Sequence, residues 1–149
     1  MVLDAEVLST EQMQEIAAEF NYSETSFVLP PEAPDHEARI RIFTPKSEVP
    51  FAGHPTIGAA AVLGWEGSVP LGTGSATVIL EEQLGEVPVT VSQRSDGVIF
   101  AQLTAAQLPK SGPNPPSREE LAAVVSLSPD DLCEGEHFPQ TWTCGLPFL

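Results

Sequence analysis

Two polar segments of the chain carry residues that could take part in acid–base or anion-binding chemistry. The first is Asn21-Tyr22-Ser23-Glu24-Thr25, in which Glu24 could act as a general base in a partly apolar site. The second is Gly53-His54, which precedes an apolar helix predicted to begin at Pro55. Because the N–H groups at a helix N-terminus are free and carry partial positive charge, this turn could bind a carboxylate or a phosphate.

Each of these residues also has a structural interpretation. A carboxylate such as Glu24 is most often solvated or hydrogen-bonded in a turn, and a lone histidine such as His54 is more often structural than catalytic. Ser23 and Thr25 are typical turn or capping residues. The neighbouring Gly53 favours function, because a glycine lets a ligand approach the backbone closely. From the residues alone, the interpretation stops at an α+β domain with a candidate small-anion site.

Local patterns predict the elements that would position Glu24. Ser9 and Gln12 resemble a capping box, and apolar residues at helical spacing follow, which predicts a helix that stops at Asn21. Residues 25–29 are rich in strand-forming types, and residues 38–44 alternate between apolar and charged side chains. Both segments are predicted strands, and Glu24 lies between the helix and the first of them.

The histidine segment is predicted to be a tight turn at residues 51–54 followed by an apolar helix. Pro55 suits the first helical position, and Gly64 could end the helix. Between them only Thr56 has a polar side chain. A helix that is apolar all round, and too short to cross a membrane, is expected to be enclosed by protein.

The strands that could surround this helix follow it in the chain. Residues 76–82, 86–93 and 98–103, with turns at Leu84-Gly85 and Asp96-Gly97, predict an antiparallel meander. In the middle strand, apolar side chains alternate with polar ones, so one face is expected to be buried. The inward residues are Val87, Val89 and Val91.

The last third of the chain is less regular. Residues 109–116 contain four prolines and are predicted to be a linker or a long loop. Ser117 and Glu120 resemble a second capping box that opens a helix through Val125. Residues 128–131 begin a further helical turn, and residues 143–149 are predicted to form a strand.

Composition excludes several classes of function. Six Lys and Arg against 21 Asp and Glu give a net charge of −15, which argues against nucleic acid or an anionic membrane surface as a partner. The N-terminus lacks a signal-peptide pattern, and two cysteines are too few for a disulfide framework, so cytoplasmic residence is expected. Cys133, His137 and Cys144 have spacings unlike those of a zinc site, so no metal is expected. No phosphate-binding loop, dinucleotide fingerprint or nucleophile elbow is present.

Four motifs resemble, in the same order, segments of the N-terminal half of the phenazine-biosynthesis PhzF-like proteins. They are Leu8-Ser9-Thr10-Glu11-Gln12-Met13, Glu19-Phe20-Asn21-Tyr22-Ser23-Glu24-Thr25-Ser26-Phe27, Arg41-Ile42-Phe43-Thr44-Pro45 and Glu48-Val49-Pro50-Phe51-Ala52-Gly53-His54-Pro55-Thr56-Ile57-Gly58.

The resemblance implies the diaminopimelate-epimerase fold. This α+β fold has two similar domains, each a curved, mostly antiparallel sheet wrapped around a central apolar helix, with the active site in the cleft between them. Residues 1–149 would be the N-terminal domain, without the first strand of the family and without the second domain. The missing half would come from the same gene or from another chain, and a homodimer is expected by resemblance.

The resemblance also implies a cofactor-independent isomerase that moves a proton on a small anionic substrate. The best-known family reaction isomerises trans-2,3-dihydro-3-hydroxyanthranilate. By resemblance, Glu24 is the acid/base, His54 and Gly53 orient the substrate, and Ser23 lies beside the glutamate. Related racemases have a cysteine where this chain has Ala52, so a two-thiol mechanism is not expected. The alternative function is that of a truncated, non-catalytic relative that acts as a binding or interaction domain.

Overall fold

The chain is organised as two units, Met1–Ala106 and Gln107–Leu149, and each is described by itself. The computed structural model describes residues 1–72, 74–133, 135, 139–144 and 147–148. All four candidate site residues, Ser23, Glu24, Gly53 and His54, lie in the first unit.

Helix α1 (Thr10–Phe20) forms where the capping box predicts it. The hydroxyl of Ser9 accepts a hydrogen bond from the N–H of Gln12, and the Gln12 side chain accepts one from the N–H of Ser9. The helix ends at Asn21, which has the left-handed conformation with φ of 52°. Met13 and Ala17 form the buried face. The predicted first helix is therefore confirmed, including both of its ends.

A six-stranded sheet forms the body of the first unit. Its spatial order is β1-β2-β4-β5-β6, with β3 also paired to β2. All pairs are antiparallel except β2 with β4, which are parallel over a short stretch. The strands are β1 (Thr25–Leu29), β2 (Ala38–Phe43), β3 (Glu48–Val49), β4 (Ser75–Glu82), β5 (Gly85–Gln93) and β6 (Ile99–Leu103). The predicted meander corresponds to β4, β5 and β6 and is confirmed.

Helix α2 (Gly53–Glu66) packs against this sheet through its buried face. Ala59, Ala60 and Leu63 belong to a core that also contains inward side chains of β2, β4 and β5. The sheet residues are Ile40, Ile42, Leu80, Val87, Val89 and Val91. The predicted fold class, an α+β domain whose curved and mostly antiparallel sheet wraps around an apolar helix, is confirmed.

The limits of α2 differ from the prediction at both ends. The helix begins at Gly53, so Gly53-His54 is its first turn and not a separate turn before Pro55. Proline is tolerated there because the N–H groups of the whole first turn have no partner within the helix. Gly64 does not end the helix. Gly64 lies within the helix and packs against β5. The helix is terminated by Gly67, which has a left-handed φ of 84°.

The first unit alone encloses α2 on one side and leaves its outer face uncovered. Its outer face carries Ile57 and Trp65, which are 36% and 76% exposed. Apolar side chains on every side of a helix therefore do not guarantee that every side is covered within this unit. Neither α2 nor any other helix in the described residues has the length and apolar character needed to cross a membrane.

A second apolar cluster lies on the other side of β1. Met13 and Ala17 of α1 belong to it, together with Phe27 and Phe43, whose rings meet edge to face at a centroid distance of 5.4 Å. All five residues of β1 are buried, because α1 packs on one face of the strand and α2 on the other. The residue that directly precedes β1 is Glu24, so this strand holds the backbone next to the candidate acid/base.

The second unit contains a capped helix and a small sheet. Helix α3 (Arg118–Val125) begins with the predicted capping box of Ser117 and Glu120 and is followed by a 3₁₀ helix, Pro129–Asp131. The Arg118 guanidinium joins the two by donating to the carbonyl oxygens of Pro129 and Leu132. The three strands of the sheet are β7 (Lys110–Ser111), β8 (Trp142–Thr143) and β9 (Pro147–Phe148).

The predicted single strand at residues 143–149 is wrong. Strands β8 and β9 are separate and pair antiparallel with each other, while β8 also pairs with β7. This arrangement gives backbone groups of both strands hydrogen-bond partners, which a lone final strand would not have. Residues 145, 146 and 149 of the predicted strand lie outside the described residues.

Substituting Gly64 by Ala is expected to destabilise the protein, because α2 packs too closely on β5 to admit a methyl group. A Cβ at position 64 would lie 2.7 Å from Cγ1 of Val91 and 3.5 Å from Cγ2 of Ile99. We expect the free energy of unfolding to fall by about 1–3 kcal/mol. Gly58→Ala is the matched control, since a Cβ there would meet nothing within 4 Å. That variant should gain roughly 0.5–1 kcal/mol, as alanine does over glycine in a helix. Urea unfolding measures both, and equal effects would contradict the packing described.

Candidate active site

Glu24 and His54 meet at the start of α2. Nε2 of His54 lies 3.4 Å from Oε2 of Glu24. The glutamate side chain is only 22% exposed, whereas the histidine side chain is 75% exposed. The carboxyl group is therefore turned toward the helix start and away from bulk solvent, while the imidazole borders the solvent.

Two buried oxygens at this position have no hydrogen-bond partner among the described residues. They are Oε2 of Glu24 and Oγ1 of the adjacent Thr25. The contact between Glu24 and His54 has the distance of an ion pair but not the geometry of a hydrogen bond. Leaving a buried polar atom unpaired costs about 1–3 kcal/mol, so such atoms are rare and call for an explanation such as a catalytic role.

The N-terminus of α2 is open beside this pair. Its N-cap residue is Ala52, whose side chain cannot accept a hydrogen bond, and the first turn contains no acidic residue. A Cβ on Gly53 would meet no atom within 4 Å, so the backbone there is accessible. Free N–H groups and the positive end of the helix dipole therefore lie next to Glu24 and His54. Ser23 is exposed in the turn that precedes Glu24.

A second carboxyl group, that of Glu82, lies against the same helical turn. Its Oε1 is 2.5 Å from Oγ1 of Thr56, and this hydroxyl is also 2.7 Å from the carbonyl oxygen of Ala52. Glu82 is 8% exposed, and its Oε2 is buried without a hydrogen-bond partner among the described residues. Burial raises the pKa of Glu82 to about 7, and the hydrogen bond with Thr56 opposes this effect only in part.

Glu82 is not among the site residues predicted from the sequence, although one signal is present in the sequence. In the alternating pattern of β4, Glu82 falls on the same face as Leu80, which is buried. A glutamate at the end of a strand is usually solvated, so the pattern alone does not single it out. What makes this residue unusual is a contact with a helix 26 residues earlier in the chain.

No metal centre is formed by the residues that the structure describes. Among them, no group of three or more His, Cys, Asp or Glu side chains is arranged to hold a metal ion. Cys133 and Cys144 are free thiols. His137 lies outside the described residues, so the expectation that these three residues form no zinc site stays a prediction.

The family model for PhzC-PhzF, the phenazine biosynthesis-like proteins, matches residues 1–149. The chain belongs to this family. It is 42% identical over its whole length to an uncharacterized isomerase of Mesorhizobium japonicum, of which it covers 48%. It is 47% identical over 98 residues to the trans-2,3-dihydro-3-hydroxyanthranilate isomerase of Pseudomonas aeruginosa, an alignment that covers 66% of this chain and 32% of that protein.

A solved structure confirms the PhzF-family fold. A predicted epimerase from Pseudomonas aeruginosa superposes with a TM-score of 0.81 at 31% identity, over 99% of this chain and 50% of that one. The resemblance inferred from the four sequence motifs is therefore confirmed. The chain spans about half the length of the Mesorhizobium japonicum isomerase and of this predicted epimerase.

The raised pKa of Glu82 predicts a specific dependence of stability on pH. The folded protein binds this proton more tightly than the unfolded chain does. Its stabilising contribution is therefore fully present below the ordinary value of 4.5 and is lost as the pH rises through about 7. A shift of this size corresponds to about 3 kcal/mol.

Glu82→Gln should remove this dependence. Urea unfolding of the wild type and the variant across this pH range measures the difference between their free energies of unfolding, which should change by about 3 kcal/mol. Glu19→Gln, which alters an exposed glutamate near the end of α1, is the matched control and should show a constant difference. A constant difference for Glu82→Gln as well would show that Glu82 ionises normally.

Proposed function

We propose that this PhzF-family chain provides one wall of the active site of an isomerase that moves a proton within a small, cyclic carboxylic acid. The observation that carries the proposal is the meeting of a shielded carboxyl group, an exposed imidazole and an uncapped helix N-terminus. The relatives named as isomerases support the reaction class. The relative named trans-2,3-dihydro-3-hydroxyanthranilate isomerase supports the substrate class.

In the proposed reaction, the Glu24 carboxylate takes a proton from one carbon of the substrate and returns it to another. The first C–H bond breaks as its electron pair moves into the carbon skeleton, a double bond shifts, and a new C–H bond forms. Nothing is oxidised or reduced overall, and a carboxyl group alone carries the proton, so the proposed mechanism uses no cofactor. A single carboxyl group serves as base and then as acid, and its proton can exchange with water between the two steps. Ala52 offers no thiol, so a mechanism with two cysteines is not part of the proposal.

The helix N-terminus is the proposed binding site for the substrate carboxylate. The N–H groups of Gly53 and His54 would donate to it, the imidazole of His54 would orient the ring, and Ser23 lies in the turn beside Glu24. A local dipole is needed because the net charge of −15 repels an anionic substrate at long range. The same dipole stabilises negative charge that develops on the substrate when the proton leaves.

We further propose that additional polypeptide covers His54 in the active enzyme. Three-quarters of its side chain is exposed, and proton transfer from carbon is favoured when the site excludes water. Because the chain spans about half the length of its relatives, this cover is proposed to come from the other half of such a protein or from a second chain. A cytoplasmic homodimer is part of the proposal, and the low cysteine content is in keeping with a reducing compartment.

Glu24→Gln is expected to abolish isomerisation without unfolding the protein, because the amide is nearly isosteric but cannot take the proton. Exchange of the substrate C–H hydrogen with D₂O, followed by NMR on trans-2,3-dihydro-3-hydroxyanthranilate, measures the step directly. We expect a loss of at least about 10²–10⁴-fold in the exchange rate. Glu19→Gln, at an exposed position near the end of α1, is the matched control and should exchange at the wild-type rate.

Two outcomes would contradict the proposal. Wild-type exchange by a folded Glu24→Gln protein would remove the acid/base role of this residue. Tight binding of the substrate by the wild type, with no exchange and no product even when the covering polypeptide is supplied, would favour the alternative function of a non-catalytic binding domain. Thermal unfolding of each variant shows whether a loss of activity reflects chemistry or misfolding.

A further inference from the structure

The hydroxyl group of Thr56 faces two oxygen atoms, although it has only one proton. Oγ1 lies 2.7 Å from the carbonyl oxygen of Ala52 and 2.5 Å from Oε1 of Glu82. A carbonyl oxygen and an ionised carboxylate can only accept hydrogen bonds. With Glu82 ionised, one of these two contacts would lack a proton. With Glu82 neutral, its O–H donates to Thr56 Oγ1, and the Thr56 hydroxyl donates to Ala52, so both contacts are hydrogen bonds.

The surroundings of Glu82 also favour the neutral carboxyl group. The residue is 8% exposed, Oε2 has no hydrogen-bond partner among the described residues, and burial raises its pKa to about 7. An ionised carboxylate in such a position would leave charge unpaired in a poorly solvated place, which is costly. Geometry and burial therefore point to the same protonation state.

The charged groups near Glu82 are engaged with one another and not with it. Glu82 lines a cavity of about 730 Å³ whose walls come from β2, β3, the β4–β5 hairpin and the loop before β2. None of the ion pairs found among the described residues includes Glu82. The pairs around the cavity are Arg39 with Glu32, Arg41 with Glu48, and His36 with Glu81 and Glu86. From α2, the neutral hydroxyl of Thr56 contacts Glu82, and the titratable His54 stands two residues earlier.

We propose that Glu82 is a positioning residue whose neutral carboxyl group holds the first turn of α2 ready to bind an anion, and whose ionisation weakens that binding. The inference rests on the proposed function, because it concerns the same helix N-terminus. On ionisation the Thr56 hydroxyl turns its proton from Ala52 to Glu82. A negative charge then lies against the turn whose N–H groups are proposed to bind the substrate carboxylate, and like charges repel. The site would thus lose affinity for anions as the pH rises through the ionisation of Glu82.

The first test needs no ligand and uses the wild type itself. In ¹³C-labelled protein, NMR follows the carboxyl carbon of Glu82 and the carbonyl carbon of Ala52 against pH. We expect both shifts to change with a common midpoint well above the ordinary glutamate range, because the hydrogen bond to Ala52 depends on the protonation of Glu82. Glu82→Gln should abolish the Ala52 transition. The inference would be overturned if Glu82 ionised in the pH range of an ordinary glutamate, or if the chemical shift of the Ala52 carbonyl carbon did not change when Glu82 ionises.

The second test measures binding of anthranilate, a cyclic carboxylate, at about pH 6 and about pH 8.5 by calorimetry. We compare, for each protein, the ratio of the Kd at the higher pH to the Kd at the lower pH. Because ionised Glu82 repels the anion, this ratio should be about tenfold larger for the wild type than for Glu82→Gln. Gln at this position stays neutral and can still donate to Thr56, so at the lower pH it should bind as the wild type does. Glu19→Gln also removes one negative charge but from an exposed position on α1, and it should keep the wild-type pH dependence.

The outcomes separate this inference from the proposed function. The same pH dependence in all three proteins would show that Glu82 does not control anion binding. An equal loss of affinity at both pH values in Glu82→Gln would indicate a structural role only, which also contradicts the proposal. Failure of all three proteins to bind anthranilate would contradict the proposed substrate site, and the titration of Ala52 would still decide whether Glu82 controls the helical turn.

Discussion

The packing of α2 on the sheet determines where the chemically important groups stand. Its small residues Ala59, Ala60 and Gly64 allow the helix to lie close to the inward valines of β5, and the contact of Gly64 with Val91 fixes its distance. His54 belongs to the first turn of this helix, and Glu24 directly precedes a strand that is buried on both faces. The 3.4 Å contact between them therefore joins two firmly held elements, which gives a site more precision than loops would.

The same helical turn meets two carboxyl groups in different environments. Glu24 keeps about a fifth of its side chain exposed and contacts an imidazole, whereas Glu82 is almost fully buried and contacts a hydroxyl group. Burial favours the neutral form of Glu82. In the proposed reaction, this difference would let Glu24 exchange protons with a ligand while neutral Glu82 keeps negative charge away from the helix N-terminus. The dipole of α2 then remains available for an anion in a protein that is itself strongly acidic.

The parts of the fold that could be predicted are those determined by short-range interactions. The capping boxes at Ser9 and Ser117 and the alternating valines of β5 each depend on residues a few positions apart, and the structure has them as expected. The local pattern predicts a helix end at Gly64, and this prediction is wrong because Gly64 serves the close contact with β5, which no local pattern reveals. The prediction of a single final strand is wrong for a similar reason. The backbone partners of β8 and β9 are determined by pairing among the short strands of the second unit, which no local pattern reveals.

The residues of the candidate site also differ in how far local sequence patterns could predict them. Glu24 and His54 belong to motifs that resemble those of a family, but their residue types alone favour ordinary structural roles, and only folding brings the two side chains together. Glu82 belongs to none of those motifs, and its carboxyl group is placed by a contact between the end of strand β4 and the first turn of a helix far away in the sequence. A glutamate becomes chemically unusual through the solvent it loses and the partners it lacks. Loss of solvent and lack of partners are both properties of the folded chain, so no rule based on residue spacing could have identified Glu82. It is identified in the structure because the single proton of the Thr56 hydroxyl faces two oxygen atoms.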